Sequence, residues 1–192
     1  RTRALTGTAM LAAVATILMY MEFPIPIMPG FIKMDISELP ALIASFAYGP
    51  LSGIAVCLIK NLIKLPSTST AAVGELFNFV MGALFVGVAG IVYKKNKTRK
   101  GAIIGAVAGA LIMALVSLPY NYFVVYPAYV VMYHLPLEAI IGMYQAINPN
   151  VNGLLACLVT FNVPFTFAKG MVDALLCFLI YKPLSPILHG RK

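Results

Sequence analysis

The sequence predicts an all-α integral membrane protein, a bundle of six membrane-spanning helices with both termini in the cytoplasm. Composition, the length of the apolar runs and the placement of basic residues lead to this class. The 192 residues are 61% hydrophobic and 10% charged, whereas soluble domains are about 45–50% apolar and about 25% charged. This length predicts one domain over residues 1–192, without a separate soluble domain.

Four apolar runs are long enough to cross a bilayer, which requires about 20 residues. They cover residues 4–23, 74–93, 101–123 and 153–181. Another apolar stretch is interrupted at Gly49-Pro50, a dipeptide that stops helix propagation. We therefore expect two shorter spans, residues 39–48 and 51–65, which bring the total to six.

Basic residues are concentrated on one side of this predicted topology. That side carries no acidic residue, and its basic residues are Arg1, Arg3, the five in KKNKTRK at 94–100, Lys182, Arg191 and Lys192. Short loops rich in Lys and Arg stay in the cytoplasm, so both termini are expected there. The KKNKTRK cluster is interpreted as a topology signal and not as a nucleic-acid site, because no aromatic residues interleave it.

Sequence motifs of enzymes and metal sites are absent. The chain has no Walker A loop, no G-x-S-x-G and no H-E-x-x-H. Cys57, Cys157 and Cys177 lie singly in apolar runs and are expected to be free and buried. His134 and His189 fall on opposite sides of the predicted membrane. We therefore expect no catalytic residue, no metal and no resident cofactor.

Polar side chains occur near the external ends of the spans. They are Lys60, Asn61, Glu75, Asn78, Asn121, Tyr122, Lys169 and Asp173. Lipid offers such groups no hydrogen-bond partner, so we predict that they converge on one externally open pocket. Lys169 and Asp173 are four residues apart and could form an ion pair that only fastens the last helix. The two roles are compatible, because Asp173 could hold Lys169 in place for a ligand.

Two external connections are too apolar to be simple solvated loops. Residues 24–38 place prolines around Phe31, Met34 and Asp35, and this stiff segment is predicted to lie over a site like a lid. Residues 137–144 have helical spacing and predict a short surface helix. An alternative is that the nearby tyrosines anchor the chain at the membrane interface; these are Tyr126, Tyr129, Tyr133 and Tyr144.

Small residues mark two packing faces. In the first span the face comprises Thr8, Ala9, Ala12, Ala13 and Thr16, and in the fifth span it comprises Gly101, Gly105 and Gly109. Small residues allow helices in membranes to approach closely. We interpret the glycines as packing within the bundle. The first-span face could either pack internally or receive a partner protein.

Five sequence blocks together resemble one known family. They are FIKMDISELPALIASFAYGPLSGIAVCLIKNLIK at 31–64, GELFNFVMGALF at 74–85, NYFVVYPAY at 121–129, LEAIIGMYQAINP at 137–149 and PFTFAKGMVDALLCFLIYKPLSP at 164–186. In this order they resemble the substrate-binding S components of bacterial energy-coupling factor (ECF) vitamin transporters, and among these the riboflavin-specific type. The resemblance covers nearly the whole chain.

The resemblance implies a six-helix S-component fold in the bacterial cytoplasmic membrane that captures riboflavin from outside, beneath the loop joining the first two spans. Family members do not hydrolyse ATP themselves. They work with a membrane scaffold subunit, the T component, and two ABC-type ATPases in the cytoplasm. The small-residue face of the first span would contact the scaffold. Besides these partners we expect only membrane lipid, and no nucleic acid.

The resemblance also assigns site residues. Asn121 and Lys169 would hydrogen-bond the polar edge of the flavin ring, and residues 31–35 and 75–78 would border the ring and the ribityl chain. The complete predicted ligand-binding set is Phe31, Met34, Asp35, Glu75, Asn78, Asn121, Tyr122, Lys169 and Asp173. A flat, largely apolar ring with a uracil-like edge calls for aromatic or methionine walls and a few fixed polar groups.

Other functions remain open from the sequence. Lys33, Lys60 and Lys64 leave room for a phosphorylated flavin such as flavin mononucleotide (FMN), and another vitamin is a further alternative. A small metal-dependent membrane transferase would use Glu75, Asp35 and Asp173, although these are scattered along the chain. An assembly subunit without a ligand would keep Lys169 only as a fastening.

Overall fold

The protein is almost entirely helical. The structure, a computed structural model, describes residues 1–189. Within them the elements in chain order are α1 (Thr2–Tyr20), β1 (Phe23–Pro24), β2 (Lys33–Met34), α2 (Glu38–Tyr48), α3 (Pro50–Lys64), a 3-10 turn (Leu65–Ser67), α4 (Val73–Lys95), α5 (Arg99–Tyr120), a π-helical turn (Asn121–Val125), α6 (Tyr126–Tyr133), α7 (Leu137–Gln145), α8 (Leu154–Cys157), a second π-helical turn (Leu158–Asn162) and α9 (Val163–His189). Two residues of the predicted cytoplasmic basic set, Arg191 and Lys192, lie outside the described residues.

Four helices are long and apolar enough to span a membrane. They are Thr2–Tyr20, Val73–Lys95, Arg99–Tyr133 and Leu154–Ile187. The other two predicted spans correspond to α2 and α3, which have 11 and 15 residues and are therefore about 16 and about 22 Å long. A bilayer core is about 30 Å thick. The all-α class is confirmed, and the count of six spans stays a prediction.

The predicted break at Gly49-Pro50 is present. α2 ends at Tyr48 and Pro50 occupies the first turn of α3. Gly49 has φ +106°, in the region that favours glycine because a side chain would clash there. Pro50 has no N–H to lose at a helix start, so it suits this position.

The bundle is built around α2. This helix contacts α1, α3, α4 and α9, and every residue from 38 to 46 is buried. α4 packs against both α3 and α5, and α5 also contacts α9. Fully buried apolar side chains at these contacts include Leu42, Val56 and Phe85. A short central helix surrounded by longer ones can thus bring polar residues from its own N-terminus into the interior.

The glycines of α5 lie in the packing seam with α4, as predicted. A Cβ added at Gly109 would lie 2.5 Å from the Phe85 carbonyl oxygen, and one at Gly105 would lie 2.7 Å from the Ala89 carbonyl oxygen. Real Cβ atoms do not approach a backbone oxygen so closely. These positions therefore require glycine for the two helices to touch.

The small-residue face of α1 is divided between the bundle and the surface. Thr8, Ala12 and Thr16 are buried at 8%, 1% and 9% exposure, whereas Ala9 and Ala13 are exposed. The prediction of a partner surface is therefore wrong for the three buried residues, because α1 uses them to pack against its own bundle. Only Ala9 and Ala13 remain accessible to another protein.

The segment between α1 and α2 folds back as a hairpin. Phe23 pairs with Met34 and Pro24 with Lys33 in antiparallel register. The hairpin lies at the same end of the bundle as residues 65–72, and we call this the loop end. The opposite end carries Lys94–Lys100 and is called the basic end.

α7 confirms the predicted short helix but is not merely an interface anchor. Its Tyr144 is fully buried, and Tyr126 in α6 is 1% exposed. Both belong to a second apolar core with Ile140 and Leu158. The anchor interpretation is therefore wrong for these two tyrosines, because their rings pack inside the protein. Cys57, Cys157 and Cys177 are free and buried, as predicted.

Candidate ligand-binding pocket

A pocket enters the bundle from the loop end, between the hairpin, α4, α9 and the π-helical turn after α5. Its apolar wall includes Met19, Phe31, Phe77, Met81, Met113 and Phe165. Its polar wall includes Glu22, Lys33, Asp35, Glu38, Lys64, Glu75, Asn78, Asn121, Asn162, Lys169 and Asp173. Aromatic and methionine surfaces beside a few fixed polar groups are typical of small-molecule sites.

Seven of the nine predicted ligand residues line this pocket: Phe31, Asp35, Glu75, Asn78, Asn121, Lys169 and Asp173. Met34 and Tyr122 do not. Met34 is buried at 9% exposure and pairs with Phe23 in the hairpin. Tyr122 is 39% exposed and packs its ring on Phe123. Neighbouring residues of a helix point in different directions, so the position next to Asn121 faces away from the pocket.

A cluster of buried charges forms the inner end of the pocket. Lys169 Nζ lies 3.1 Å from Glu38 Oε2 and 3.4 Å from Asp35 Oδ2. Behind them, Lys60 Nζ donates to Glu38 Oε1 at 2.7 Å and to Ser37 Oγ at 2.5 Å. Ser37 in turn donates its hydroxyl and its backbone N–H to Asp35 Oδ1 at 2.5 and 2.8 Å. The cluster joins α9 and α3 to the segment where the hairpin enters α2.

The predicted pairing of Lys169 with Asp173 is wrong. Lys169 makes its ion pairs with Asp35 and Glu38, which approach it from outside α9. Asp173 is fully buried, and neither of its carboxyl oxygens has a hydrogen-bond partner within residues 1–189. The ammonium of Lys169 therefore pairs with two carboxylates, Asp35 and Glu38, that also accept other hydrogen bonds. Among the described residues, Asp173 forms no direct bond to this cluster.

Asn121 and Lys169 have hydrogen-bonding capacity left for a ligand. Asn121 is 4% exposed, and no side-chain hydrogen bond ties it to another of the described residues. Its amide can both donate and accept. Lys169 has three N–H donors and two carboxylate neighbours, so one donor can point into the pocket.

A second polar network holds Asn162 at the pocket wall. Tyr144 donates its hydroxyl to Asn162 Oδ1 at 2.7 Å, and Asn162 Nδ2 donates to Tyr126 Oη at 3.2 Å. The hydroxyls of Tyr126 and Tyr144 are also hydrogen-bonded to each other. The ring of Phe31 packs edge-on against both tyrosines, with centroid distances of 6.4 and 6.1 Å. This network connects the hairpin tip to α6, α7 and the second π-helical turn.

The same fold is known in another protein, and the sequence matches a known family. A family model described as "ECF transporter, substrate-specific component" matches residues 3–181. The chain belongs to this family. It is thus a substrate-binding component of a membrane transporter and not an enzyme, and its long apolar helices are membrane-spanning.

Two relatives of this S component match nearly its full length or all of it. It is 33% identical over 180 residues to riboflavin transporter RibU of Staphylococcus aureus, which covers 94% of this chain and 89% of that protein. It is also 33% identical over 195 residues to riboflavin transporter FmnP of Bacillus subtilis, covering 100% and 97%. A solved structure of the S component of a bacterial ECF transporter superposes with a TM-score of 0.74 at 31% identity, covering 97% of this chain and 98% of that one.

The lysines at the loop end of the S component all form ion pairs, and two of them share one carboxylate. Lys33 and Lys64 place their ammonium groups 3.1 and 2.7 Å from the carboxylate of Glu22, and Lys60 is bonded to Glu38. These ion pairs hold the pKa of Glu22 below its ordinary value, despite the partial burial that opposes the shift. Through Glu22, which follows α1, Lys33 and Lys64 therefore link the hairpin to the end of α3.

Asp35, which lies in the connection before α2, is ionised far below neutral pH. Burial alone would raise its pKa, but the ammonium groups of Lys169 and Lys60 and the hydrogen bonds from Ser37 lower it to about 2. At neutral pH this carboxylate is thus a permanent counter-charge for Lys169.

The pocket residues of the S component that sequence reasoning missed include Glu38, Asn162 and Tyr126. Glu38 was visible as an acidic residue directly before the apolar run that begins at Leu39, but no pattern indicated its burial. Asn162 and Tyr126 adjoin the two π-helical turns. These turns carry no distinctive sequence signal, although they occur often at functional sites.

Proposed function

We propose that this S component binds riboflavin in the pocket at the loop end and delivers it for uptake. The observation that carries the proposal is the free amide of Asn121 and the available N–H of Lys169, set between apolar walls of Met81, Met113 and Phe165. An amide and an ammonium suit the carbonyl and N–H edge of the flavin, and the thioether and aromatic side chains suit its ring. The printed names of both relatives, riboflavin transporters, support the same ligand.

The proposal includes six spans with both termini in the cytoplasm. α2 and α3 would cross as a pair of short helices, because α2 is buried on all sides and α3 packs against α1 and α4. The basic end would then face the cytoplasm and the loop end the outside. In this orientation the hairpin lies over the pocket as a lid, whose Phe31 and Asp35 contact the ligand from above.

The partners proposed are those of an ECF transporter: a T-component scaffold and two ABC-type ATPases, which supply ATP hydrolysis. The exposed Ala9 and Ala13 of α1 are the surface proposed for the scaffold, because small side chains allow another helix to approach closely. Riboflavin is treated as cargo and not as a resident cofactor. We place the protein in the bacterial cytoplasmic membrane.

The decisive experiment is purification in detergent from cells grown with riboflavin. A yellow protein that releases riboflavin, identified by mass spectrometry, would support the proposal. A colourless protein that also fails to quench the fluorescence of added riboflavin would refute it, and another vitamin would then be the ligand to test.

Substitutions in the pocket provide the residue-level test. Asn121→Ala and Lys169→Ala should each weaken riboflavin binding by at least about tenfold, because each removes a polar contact in a desolvated site. Tyr122→Ala is the matched control, since Tyr122 neighbours Asn121 but lies outside the pocket. Equal losses in all three variants would contradict the assigned roles of Asn121 and Lys169.

A further inference from the structure

Three side chains beside the pocket form a closed ring of hydrogen bonds. They are Tyr126 in α6, Tyr144 in α7 and Asn162 at the end of the second π-helical turn, and all three are buried. Tyr126 and Asn162 line the pocket, whereas Tyr144 lies behind its wall. The ring therefore connects a residue outside the pocket to two residues that face a ligand.

The distances indicate the direction of the hydrogen bonds in this ring. The 2.7 Å between Tyr144 Oη and Asn162 Oδ1 is typical of an O–H donor, and the 3.2 Å between Asn162 Nδ2 and Tyr126 Oη lies in the range of an N–H donor. Because Tyr144 donates its only hydrogen to Asn162, the hydrogen between the two hydroxyls comes from Tyr126. Each member thus donates once and accepts once.

The ring leaves one hydrogen-bond donor for the pocket. Both hydroxyl hydrogens are used within the ring, but the amide of Asn162 has a second N–H. The oxygen of this amide faces Tyr144, behind the wall, and its nitrogen faces Tyr126, which lines the pocket. The nitrogen of the amide is therefore on the pocket side.

The backbone and surroundings of Asn162 are fixed as well. Thr166 donates its hydroxyl to the Asn162 carbonyl oxygen at 2.8 Å. The ring of Phe31 packs on both tyrosines from the hairpin and shields their hydroxyls from water. Hydrogen bonds are stronger where water is excluded, because the effective dielectric constant is lower. The amide of Asn162 therefore has one preferred orientation before any ligand binds.

We propose that Tyr144 is a positioning residue that orients the amide of Asn162, so that the second N–H of Asn162 donates to the polar edge of the flavin ring. This inference rests on the proposed function, because it assumes that a flavin occupies the pocket. The turn that ends at Asn162 packs against α5, which leads directly into Asn121. Both asparagines are thus expected at the same edge of the flavin, where carbonyl oxygens accept hydrogen bonds.

The two tyrosines have different effects in this arrangement. Without the hydroxyl of Tyr144, the hydrogen of Tyr126 becomes available to the oxygen of Asn162, and the amide then favours the reversed orientation with its oxygen on the pocket side. Without the hydroxyl of Tyr126, Tyr144 still donates to that oxygen and the orientation is kept. The tyrosine behind the wall should therefore affect binding more than the tyrosine that lines the pocket.

The test measures riboflavin binding to purified variants by fluorescence quenching. We expect Tyr144→Phe and Asn162→Ala each to raise the riboflavin Kd by about tenfold, and Tyr126→Phe to raise it by less than about threefold. The double variant Tyr144→Phe/Asn162→Ala should bind within about threefold of Asn162→Ala, because a residue that acts through Asn162 has no effect without it. Asn162→Leu, which is similar in size, replaces Asn162→Ala if that variant does not fold.

A spectroscopic measurement separates the orientation of the amide from a general weakening of the fold. Hydrogen bonds to the flavin ring shift its near-ultraviolet absorption band. At saturating riboflavin this band should move in Tyr144→Phe and stay in place in Tyr126→Phe, although both variants open the ring of hydrogen bonds. The control is Tyr93→Phe, which removes a hydroxyl from α4 outside the pocket and should change neither the Kd nor the band.

Three results would overturn the inference while leaving the proposed function intact. A larger loss of affinity in Tyr126→Phe than in Tyr144→Phe would make Tyr126 the direct contact. Additive losses in the double variant would mean that Tyr144 does not act through Asn162. Unchanged affinity and an unchanged band in Tyr144→Phe would mean that the ring only holds the helices together. Failure of the unmodified protein to bind riboflavin at all would instead overturn the proposed function itself.

Discussion

Lys169 is a charged residue in the middle of a membrane-spanning helix, where an isolated lysine costs about 2.5–3.5 kcal/mol even on insertion scales. The structure offsets this cost with two carboxylates from elsewhere in the chain, Asp35 at the end of the hairpin and Glu38 at the start of α2. One side chain thus connects the hairpin, α2 and α9. A substitution at this position is therefore expected to affect both stability and the proposed ligand binding.

Lys169→Met is expected to destabilise the protein and abolish ligand binding. The substitution leaves Glu38 with only Lys60 and Asp35 with only Ser37, so buried negative charge is left uncompensated. Breaking one side of a buried ion pair typically costs about 3–5 kcal/mol. Thermal unfolding in detergent without ligand measures the stability loss. An unchanged unfolding temperature would contradict the role of Lys169 in holding these elements together.

Asp173→Asn is the matched variant in the same helix, and it should behave differently. Asp173 is buried without a hydrogen-bond donor to either oxygen among the described residues, and an amide of the same shape removes the cost of burying a charge. We expect equal or higher thermal stability and retained ligand binding. If Asp173→Asn lost as much stability and ligand binding as Lys169→Met, Lys169 would have to pair with Asp173 after all.

The contrast between these two residues indicates what the sequence could predict about the site. The depth of Lys169 and the cost of its burial were readable, as was its place in a pocket. Its counter-ions were not, because i,i+4 spacing identifies only neighbours on one helix. Asp35 lies 134 positions away in the chain, so only the tertiary fold could bring it closer than Asp173.

The contribution of Asp35 to stability should change with pH only under acidic conditions. Its pKa is lowered from 3.8 to about 2 in the folded protein, so the folded state favours the ionised form. This stability is fully present above about pH 4 and is lost as the pH falls toward 2. The stability difference between the unmodified protein and Asp35→Asn should therefore be constant from pH 5 to 8, in thermal unfolding scans, and shrink below pH 4.

At the scale of elements, the seam between α4 and α5 depends on glycine. We expect Gly109→Ala to lower stability by about 1–3 kcal/mol, because its methyl would meet the Phe85 carbonyl oxygen at 2.5 Å. Gly87→Ala in α4 is the control, since its methyl meets only Ile54 Cδ1 at 3.4 Å. Alanine also favours helix over glycine by about 1 kcal/mol. Thermal unfolding that ranks the two variants equally would refute the close seam.

Elements with a local cause were predictable and elements with a tertiary cause were not. The stop at Gly49-Pro50 and the helix at 137–145 follow from backbone chemistry and apolar spacing. The two π-helical turns and the hairpin strands do not, because their sequences differ little from ordinary helix or loop. The first π-helical turn begins at Asn121 and the second ends at Asn162. The backbone that is hardest to predict from sequence therefore contains two of the three asparagines of the pocket wall.

At the scale of the whole molecule, charge is divided between two ends. The basic end carries KKNKTRK, and the loop end carries the carboxylates of the pocket with their lysine partners. We predict that this division orients the molecule in the membrane, because short loops rich in basic residues stay in the cytoplasm. The pocket at the loop end would then open to the outside, and the basic end would face the proposed ATPases.

Thiol labelling in intact cells tests this orientation. Lys97 at the basic end and Asn150 in the connection after α7 are exposed, whereas the native Cys57, Cys157 and Cys177 are fully buried and should not react. A membrane-impermeant maleimide should therefore label Asn150→Cys in intact cells and Lys97→Cys only after the cells are broken. The reverse labelling pattern would mean that the protein has the opposite orientation in the membrane. Labelling of both positions in intact cells would mean that the chain crosses the membrane an even number of times between them, which contradicts the single crossing that six spans require there.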